Sequence, residues 1–112
     1  MSERWAHGSS VAWTDTAPGI KRQILGYGDD LMLTRVDFEA GAIGTMHHHP
    51  HRQGTYVVSG RFEVTIDGEA RTLVAGDSFF VAAEFEHGVR ALDQGTLIDA
   101  FSPARADFLA AQ

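Results

Sequence analysis

Along most of the chain, apolar and polar residues alternate in short runs separated by glycines and turn pairs, the period-2 pattern of strands with one buried face. In RFEVTI, residues 61–66, Phe62, Val64 and Ile66 alternate with Arg61, Glu63 and Thr65, and Asp67-Gly68 then turns the chain back. The same pattern predicts strands over Arg22–Tyr27, Leu31–Phe38, Gly44–His49, Thr55–Ser59, Arg61–Ile66, Ala70–Val74, Ser78–Val81, His87–Ala91 and Thr96–Phe101. The joints YGDD, EAG, SG, DG, AGD and DQG include residues that tolerate the positive φ of tight hairpin turns. No 3.6-residue period is sustained before the C-terminus. There Ser102 and Pro103 read as the N-cap and first residue of a short closing helix through Ala104–Ala111, with Phe108 and Leu109 as its buried contacts. So many short antiparallel strands imply an all-β fold, a small barrel or jelly roll, in which closure removes exposed edges and leaves an interior mouth for a ligand.

With 112 residues the chain makes one domain. Residues 1–18, rich in Ser, Thr, Gly and Ala, are expected to form a loosely held arm, and residues 19–112 the domain itself. The absence of cysteine excludes disulfide and thiolate chemistry. No apolar run approaches the roughly 20 residues of a membrane span, and the N-terminal stretch lacks a signal-peptide apolar segment, so a cytoplasmic location is expected. Nine basic and 15 acidic residues give a net charge of −6 with no basic cluster, which argues against nucleic acid and anionic membranes as partners. The same charge repels a small anionic substrate, which a local positive centre would then have to hold.

The segment TMHHHPHRQ, Thr45–Gln53, carries four of the six histidines. On a strand His47 and His49 share a face, while Met46 and His48 point the other way. Pro50 ends regular pairing, so parity does not place His51, and both His48 and His51 are left as outer, entrance or surface groups. A third imidazole can come from His87, which heads a strand after FFVAAEFE. Two same-face histidines, a polar residue four positions on and a distant histidine on another strand point to a divalent-metal site, which neutral imidazole suits. Asp99 interrupts an otherwise apolar strand on the face of Leu97 and Phe101. If inward it holds its proton more tightly and becomes an acid/base candidate, or else it pairs with a buried arginine such as Arg105. Arg105 is alternatively free to grip a substrate carboxylate in a forked pair. Tyr56, Phe79, Phe80 and Phe85 are expected in the core rather than a pocket. Trp5 and Trp13 are expected to cover either a neighbouring subunit or their own barrel.

GAIGTMHHHPHRQGTYVVSG closely resembles the first cupin motif, G-x5-H-x-H-x3-4-E-x6-G, with Gly41, His47, His49 and Gly60 in register and Gln53 in place of the glutamate. GDSFFVAAEFEHGVRA resembles the second, G-x5-P-x-G-x2-H-x3-N, at Gly76 and His87, with Ala82, Glu84 and Ala91 at the positions of Pro, Gly and Asn. The resemblance covers about half the chain and implies a single-domain cupin β-barrel, often dimeric. A glutamine ligand leaves the charge of a divalent ion unreduced, which favours polarising oxygens and holding an anion over redox cycling, without excluding iron. Gln53 can instead stand just outside the ligands.

The C-terminal D-x-F-x-P-x-R-x-D-F-L, together with His, His, Gln and His as ligands, is similar to the KdgF type of uronate-processing cupin. These convert 4,5-unsaturated monouronates from pectin or alginate to linear 5-keto-4-deoxyuronate forms by ring opening and tautomerisation. The resemblance implies that His47, His49, Gln53 and His87 bind one divalent transition metal (Ni, Zn, Mn or Fe). It further implies that Asp99 and Arg105 are catalytic, that Arg105 also holds the uronate, and that Phe101 lines the pocket. It implies a small anionic sugar as substrate and a homodimer as the assembly. The alternatives are an Fe(II)-dependent cupin dioxygenase and a non-catalytic acidic-sugar-binding cupin.

Overall fold

A computed structural model describes residues 1–111. The strands are β1 (Thr14–Ala17), β2 (Ile20–Tyr27), β3 (Met32–Phe38), β4 (Ile43–His47), β5 (Arg52–Ser59), β6 (Arg61–Ile66), β7 (Glu69–Val74), β8 (Ser78–Val81), β9 (His87–Ala91) and β10 (Gly95–Ser102), followed by one helix, α1 (Ala106–Ala110). They form two antiparallel sheets, one ordered β1-β2-β3-β10-β5-β8 and the other β4-β9-β6-β7, facing each other as a small barrel. Among the described residues no helix is long and apolar enough to cross a membrane.

The alternation read from the sequence places most strands correctly. β6 pairs with β7 from Arg61↔Val74 to Ile66↔Glu69, and Asp67 and Gly68 close that hairpin with φ of 49° and 81°, the left-handed pair its two-residue turn requires. Inward residues from both sheets, among them Ile20, Phe38, Val57, Phe62, Val64, Ala91 and Leu97, make the apolar core. Phe38 and Phe62 meet edge to face at 5.2 Å between ring centroids.

Several expectations are corrected. The strand expected over Gly44–His49 ends at His47, with a register shift between Gly44 and His47, so His49 lies beyond the ladder. Ser102 is the last residue of β10 rather than a helix cap, and α1 begins only at Ala106 with Arg105 at its N-cap position. The β10 ladder to β5 extends through Ser102↔Arg52, so pairing outcompetes the local capping signal. Tyr56, Phe80 and Phe85 are exposed rather than core. Because Gln53, Thr55 and Val57 face inward on β5, Tyr56 must face out, and Phe80 likewise lies between the inward Phe79 and Val81.

The arm is tied down rather than loose. Thr14–Ala17 adds an edge strand to β2, and Tyr27 and Ser2 exchange backbone and side-chain hydrogen bonds. The buried Gln23 amide donates to the carbonyls of Gly8 and Val11 at 2.7 and 3.1 Å. Trp13 packs on this chain's own barrel, with the Lys21 ammonium 4.4 Å from its ring centroid. Trp5 is 83% exposed.

Candidate metal centre

The strands that carry the apolar core run on into a second, polar layer inside the same barrel. β5 carries Val57, then Thr55 and Gln53; β10 carries Leu97, then Asp99 and Phe101; β9 carries Ala91, then His87; β2 carries Ile20, then Arg22. Each polar residue here is buried. Burial of this many polar groups in one layer calls for partners within it.

His47 and His87 are cross-strand partners of β4 and β9, with ring centroids 4.4 Å apart. His49 reaches the same point from the loop, its carbonyl accepting from the Glu84 backbone N–H at 2.7 Å. One ligand nitrogen from each of His47, His49 and His87 lies within 4.8 Å of the other two. Strand parity gives only part of the reason that His47 and His49 converge, since a bend after β4 supplies the rest. His48 points to the surface, 3.6 Å from the Glu84 carboxylate, and His51 stands half-buried beside His49.

The tautomers are set by the backbone. Each of the three rings has Nδ1 at 2.9 Å from a carbonyl oxygen, that of Thr45 for His47, His51 for His49 and Phe85 for His87. A carbonyl only accepts, so each Nδ1 carries the proton and each Nε2 presents a lone pair. Burial lowers the pKa of His49, and pushes that of His87 down to about 4, so both rings are neutral at pH 7.

Gln53 completes the convergence. Its Oε1 lies 3.1 Å from His49 Nε2 and 3.2 Å from His87 Nε2, while its amide nitrogen donates to Thr55 Oγ1 at 3.0 Å and to Asp99 Oδ1 at 3.3 Å. Those two acceptors orient the amide with its oxygen toward the imidazoles. Lone pairs thus face lone pairs at hydrogen-bonding distance with no proton between them, an arrangement that a cation relieves. Three imidazole nitrogens and a carbonyl-type oxygen form a donor set that fits a divalent transition metal. The Nδ1–carbonyl bonds provide the outer support such ligands need.

Asp99 sits directly behind this cluster. Thr55 Oγ1 donates to Asp99 Oδ1 at 2.5 Å, and burial raises the carboxyl pKa to about 6 against the opposing pull of Thr55, Gln53 and Arg105. The expected buried carboxylate is present, and the alternative of an Asp99–Arg105 ion pair is not. Arg105 instead binds Asp107 in a forked pair at 3.0 and 2.8 Å, which holds the Asp107 pKa down. The Arg105 guanidinium lies over Phe101 and Phe108 at 5.0 and 4.1 Å from their ring centroids. Phe101 is edge to face with His49.

A cavity of about 190 Å³ joins His47, Gln53, His87, Asp99, Phe101 and Arg105, and is also lined by Arg22 and Phe108. The cavity thus brings together the expected site residues His47, Gln53, His87, Asp99, Phe101 and Arg105, with His49 set against it through Gln53 and Phe101. The structure adds Arg22 and Phe108 to the lining and, behind it, Thr55, whose hydroxyl bridges Gln53 and Asp99. Arg22 and Thr55 carried a readable signal, since each shares the inward parity of an apolar neighbour, Ile20 and Val57. Phe108 was expected only as a helix-packing residue. A larger open groove of about 1070 Å³ between the β1–β2 hairpin and the β3 and β10 ends has Asp15, Lys21, Asp37 and Glu39 in its lining and no histidine.

Residues 34–99 match the model of the cupin domain family. The chain is 50% identical over 99 residues to the pectin degradation protein KdgF of Dickeya dadantii, covering 87% of this chain and 90% of that protein. Among solved structures, an RmlC-like cupin of Shewanella frigidimarina superposes with a TM-score of 0.93 at 46% identity, covering 96% of each chain. KdgF of a Halomonas species superposes with a TM-score of 0.91 at 41% identity, covering 96% of this chain and 99% of that one.

Proposed function

Because the chain belongs to the cupin family and is similar along most of its length to pectin degradation protein KdgF, we propose that it is a pectin-degradation enzyme of the cytoplasm. Its reaction is the metal-dependent ring opening and tautomerisation of a 4,5-unsaturated monouronate to the linear 5-keto-4-deoxyuronate. The observation that carries this reading is the Gln53 amide, whose oxygen faces the imidazole nitrogens while its nitrogen holds the carboxyl of Asp99. One residue thereby joins an electrophile-binding set to an acid/base group.

His47, His49, His87 and Gln53 hold one divalent transition metal, of Ni, Zn, Mn or Fe, which supplies Lewis acidity and a positive charge against the chain's net −6. The chemistry is an isomerisation. The bond from C1 to the ring oxygen breaks, the C1 hydroxyl gives up its proton to become an aldehyde, and the C5 enol becomes a ketone as C4 takes a proton. Asp99, with a pKa near 6, is suited to receive the hydroxyl proton and deliver one to C4. Thr55 and Gln53 hold its Oδ1, leaving the other oxygen for the substrate. Arg105 holds the uronate carboxylate, and Phe101 walls the pocket and shields it from water.

The test is the ultraviolet absorbance of the substrate double bond with metal-loaded protein, beside a His47→Ala/His49→Ala control. Loss faster than in buffer, absent from the control and without oxygen uptake, supports the reading. Uptake of oxygen that requires Fe(II) makes the protein a dioxygenase, and binding of an acidic sugar without turnover makes it a binding protein.

The protein is further proposed to act as a homodimer. On the outer face of the larger sheet, Phe80 faces Gly54, Gly54 faces Ala100 and Ala100 faces Leu33, with Tyr56 beside Ile98 in the next row. Phe80 and Tyr56 are 63% and 50% exposed in the single chain, an apolar face that a second copy would cover. Light scattering that gives a monomer mass at micromolar concentration would exclude the dimer.

A further inference from the structure

Arg22 sits on β2, is 9% exposed, lines the cavity of the candidate centre, and has its Nε buried without a hydrogen-bond partner among the described residues. Its guanidinium carbon lies 3.7 Å from the centroid of the Phe108 ring, which the Arg105 guanidinium also approaches, at 4.1 Å. The aromatic ring thus carries two cations. Arg105 has a carboxylate in the forked grip of Asp107, whereas Arg22 forms no ion pair among the described residues. Asp107 is taken by Arg105, and Asp99, the carboxylate in the cavity lining, is held by Thr55 and Gln53, so neither carboxylate pairs with Arg22. Burial and the neighbouring Arg105 both disfavour the charge on Arg22, yet an arginine stays protonated at any physiological pH. Asp107 and the Phe108 ring offset this in part, and an anion that reached the guanidinium would stabilise it further.

Resting on the proposed acidic-sugar reading, we propose that Arg22 is a second substrate-binding arginine that holds the substrate carboxylate jointly with Arg105. Phe108 fixes the guanidinium plane, and none of the guanidinium N–H groups is hydrogen-bonded to another described residue, which leaves them as donors for the anion. In this arrangement Arg105 is positioned by Asp107 and offers its remaining amine, while Arg22 supplies the unspent charge. The two arginines therefore select for a carboxylate on the sugar and have no part in moving protons. An otherwise identical neutral sugar would leave the excess charge uncovered, which makes Arg22 a specificity-determining residue.

Binding of galacturonate and of galactose to metal-loaded protein by calorimetry, with turnover of the unsaturated uronate, tests this in wild type, Arg22→Lys, Arg22→Gln and the surface control Arg71→Gln. Arg22→Gln should weaken galacturonate binding and raise KM roughly 10- to 100-fold, the range of a charge-assisted hydrogen bond to a carboxylate, while kcat and metal content hold. Arg22→Lys, which keeps the charge and loses the fork, should fall between the two and remains informative should the glutamine variant fail to fold. Galactose should bind weakly to every variant, and Arg71→Gln should match wild type. Unchanged galacturonate affinity and KM in both Arg22 variants would overturn the proposal and leave the ring-opening reading intact. Loss of kcat with KM unchanged would also overturn it, since that places Arg22 outside substrate binding. Wild-type protein that binds galacturonate through Arg22 but turns nothing over would keep the clamp and end the ring-opening reading, and wild-type protein that binds no acidic sugar would end both.

Discussion

The two ends of this barrel are made from the same strands with the same alternation, and they differ only in what the inward positions hold. At one end Val57, Leu97, Ala91 and Ile20 pack around Phe38 and Phe62. Two to four residues along the same strands, Thr55, Gln53, Asp99, His87 and Arg22 occupy equivalent positions. The apolar end stabilises the fold by removing surface from water, and nothing in it depends on pH or on a ligand. The polar end satisfies part of its hydrogen bonding internally and leaves the rest facing a gap: four lone-pair donors without a proton between them and a guanidinium that pairs with no carboxylate among the described residues. One end is finished by folding, and the other is finished by what it binds.

The sharpest way to break this comparison is to delete a side chain at each end. Phe62 is fully buried, so Phe62→Ala should cost about 3–5 kcal/mol in chemical denaturation, with or without metal. His87→Ala should change the stability of metal-free protein by less than half of that. It should abolish the stabilisation that added divalent metal gives wild type, which is about 2.7 kcal/mol at a concentration 100 times Kd. If metal raises the melting temperature of His87→Ala as much as that of wild type, the three-imidazole centre is not where the ion binds.

Asp99 offers a finer division, because its two expected effects have opposite signs. Its folded-state pKa near 6 lies above the ordinary 3.8, so the folded protein holds the proton more tightly than the unfolded chain. The resulting stabilisation is complete below pH 3.8 and is lost as pH rises through about 6, beyond which folding must bury an anion. Asp99→Asn cannot ionise. In metal-free protein it should gain on the order of 1–3 kcal/mol over wild type at pH 8, a gap that closes toward pH 4. In the metal-loaded enzyme the same change should lower kcat by roughly 10²- to 10⁴-fold. Full activity in a metal-retaining Asp99→Asn would remove Asp99 from proton transfer.

Most of the apolar end was legible from period-2 alternation, since an inward apolar residue looks alike in every strand. The polar end was legible where identity broke the pattern: His47, His49 and His87 by their spacing, Asp99 by being charged among apolar neighbours. What was not legible has local causes. The aromatic Tyr56 and Phe80 look like core by composition, but parity turns them outward. Arg105 looked like a partner for Asp99, yet its shorter loop to Asp107 satisfies it two residues away. The link through Thr55 is long-range, 44 residues from Asp99, and only the β5–β10 register reveals it.

Gln53 tests whether the layer tolerates a second charge. Gln53→Glu replaces an amide that donates to Asp99 with a carboxylate beside it, so the pair would share a proton and the shared site would titrate higher still. The metal-free variant should lose about 1–2 kcal/mol at pH 8 and nothing near pH 4, read from melting curves at the two pH values. An identical loss at both would mean that the amide matters for packing rather than for charge.

The smallest effect concerns backbone rather than side chains. At the apolar end the β5–β6 turn has glycine where φ is +86°, and a Cβ on Gly60 would come within 2.5 Å of the Gln94 carbonyl, so no other residue fits. At the polar end Glu84 takes φ of +68° at the position where the cupin pattern resembled here has glycine. Its N–H holds the His49 carbonyl, so the left-handed turn is kept although the residue that suits it is not. A left-handed side chain costs about 1–2 kcal/mol, and glycine returns about 0.5–1 of that through the freer unfolded chain. Glu84→Gly should therefore stabilise the protein by no more than about 1 kcal/mol, with metal affinity unchanged because the turn is already formed. A loss of stability would show instead that the exposed Glu84 carboxylate, 3.6 Å from His48, contributes more than the strain it imposes.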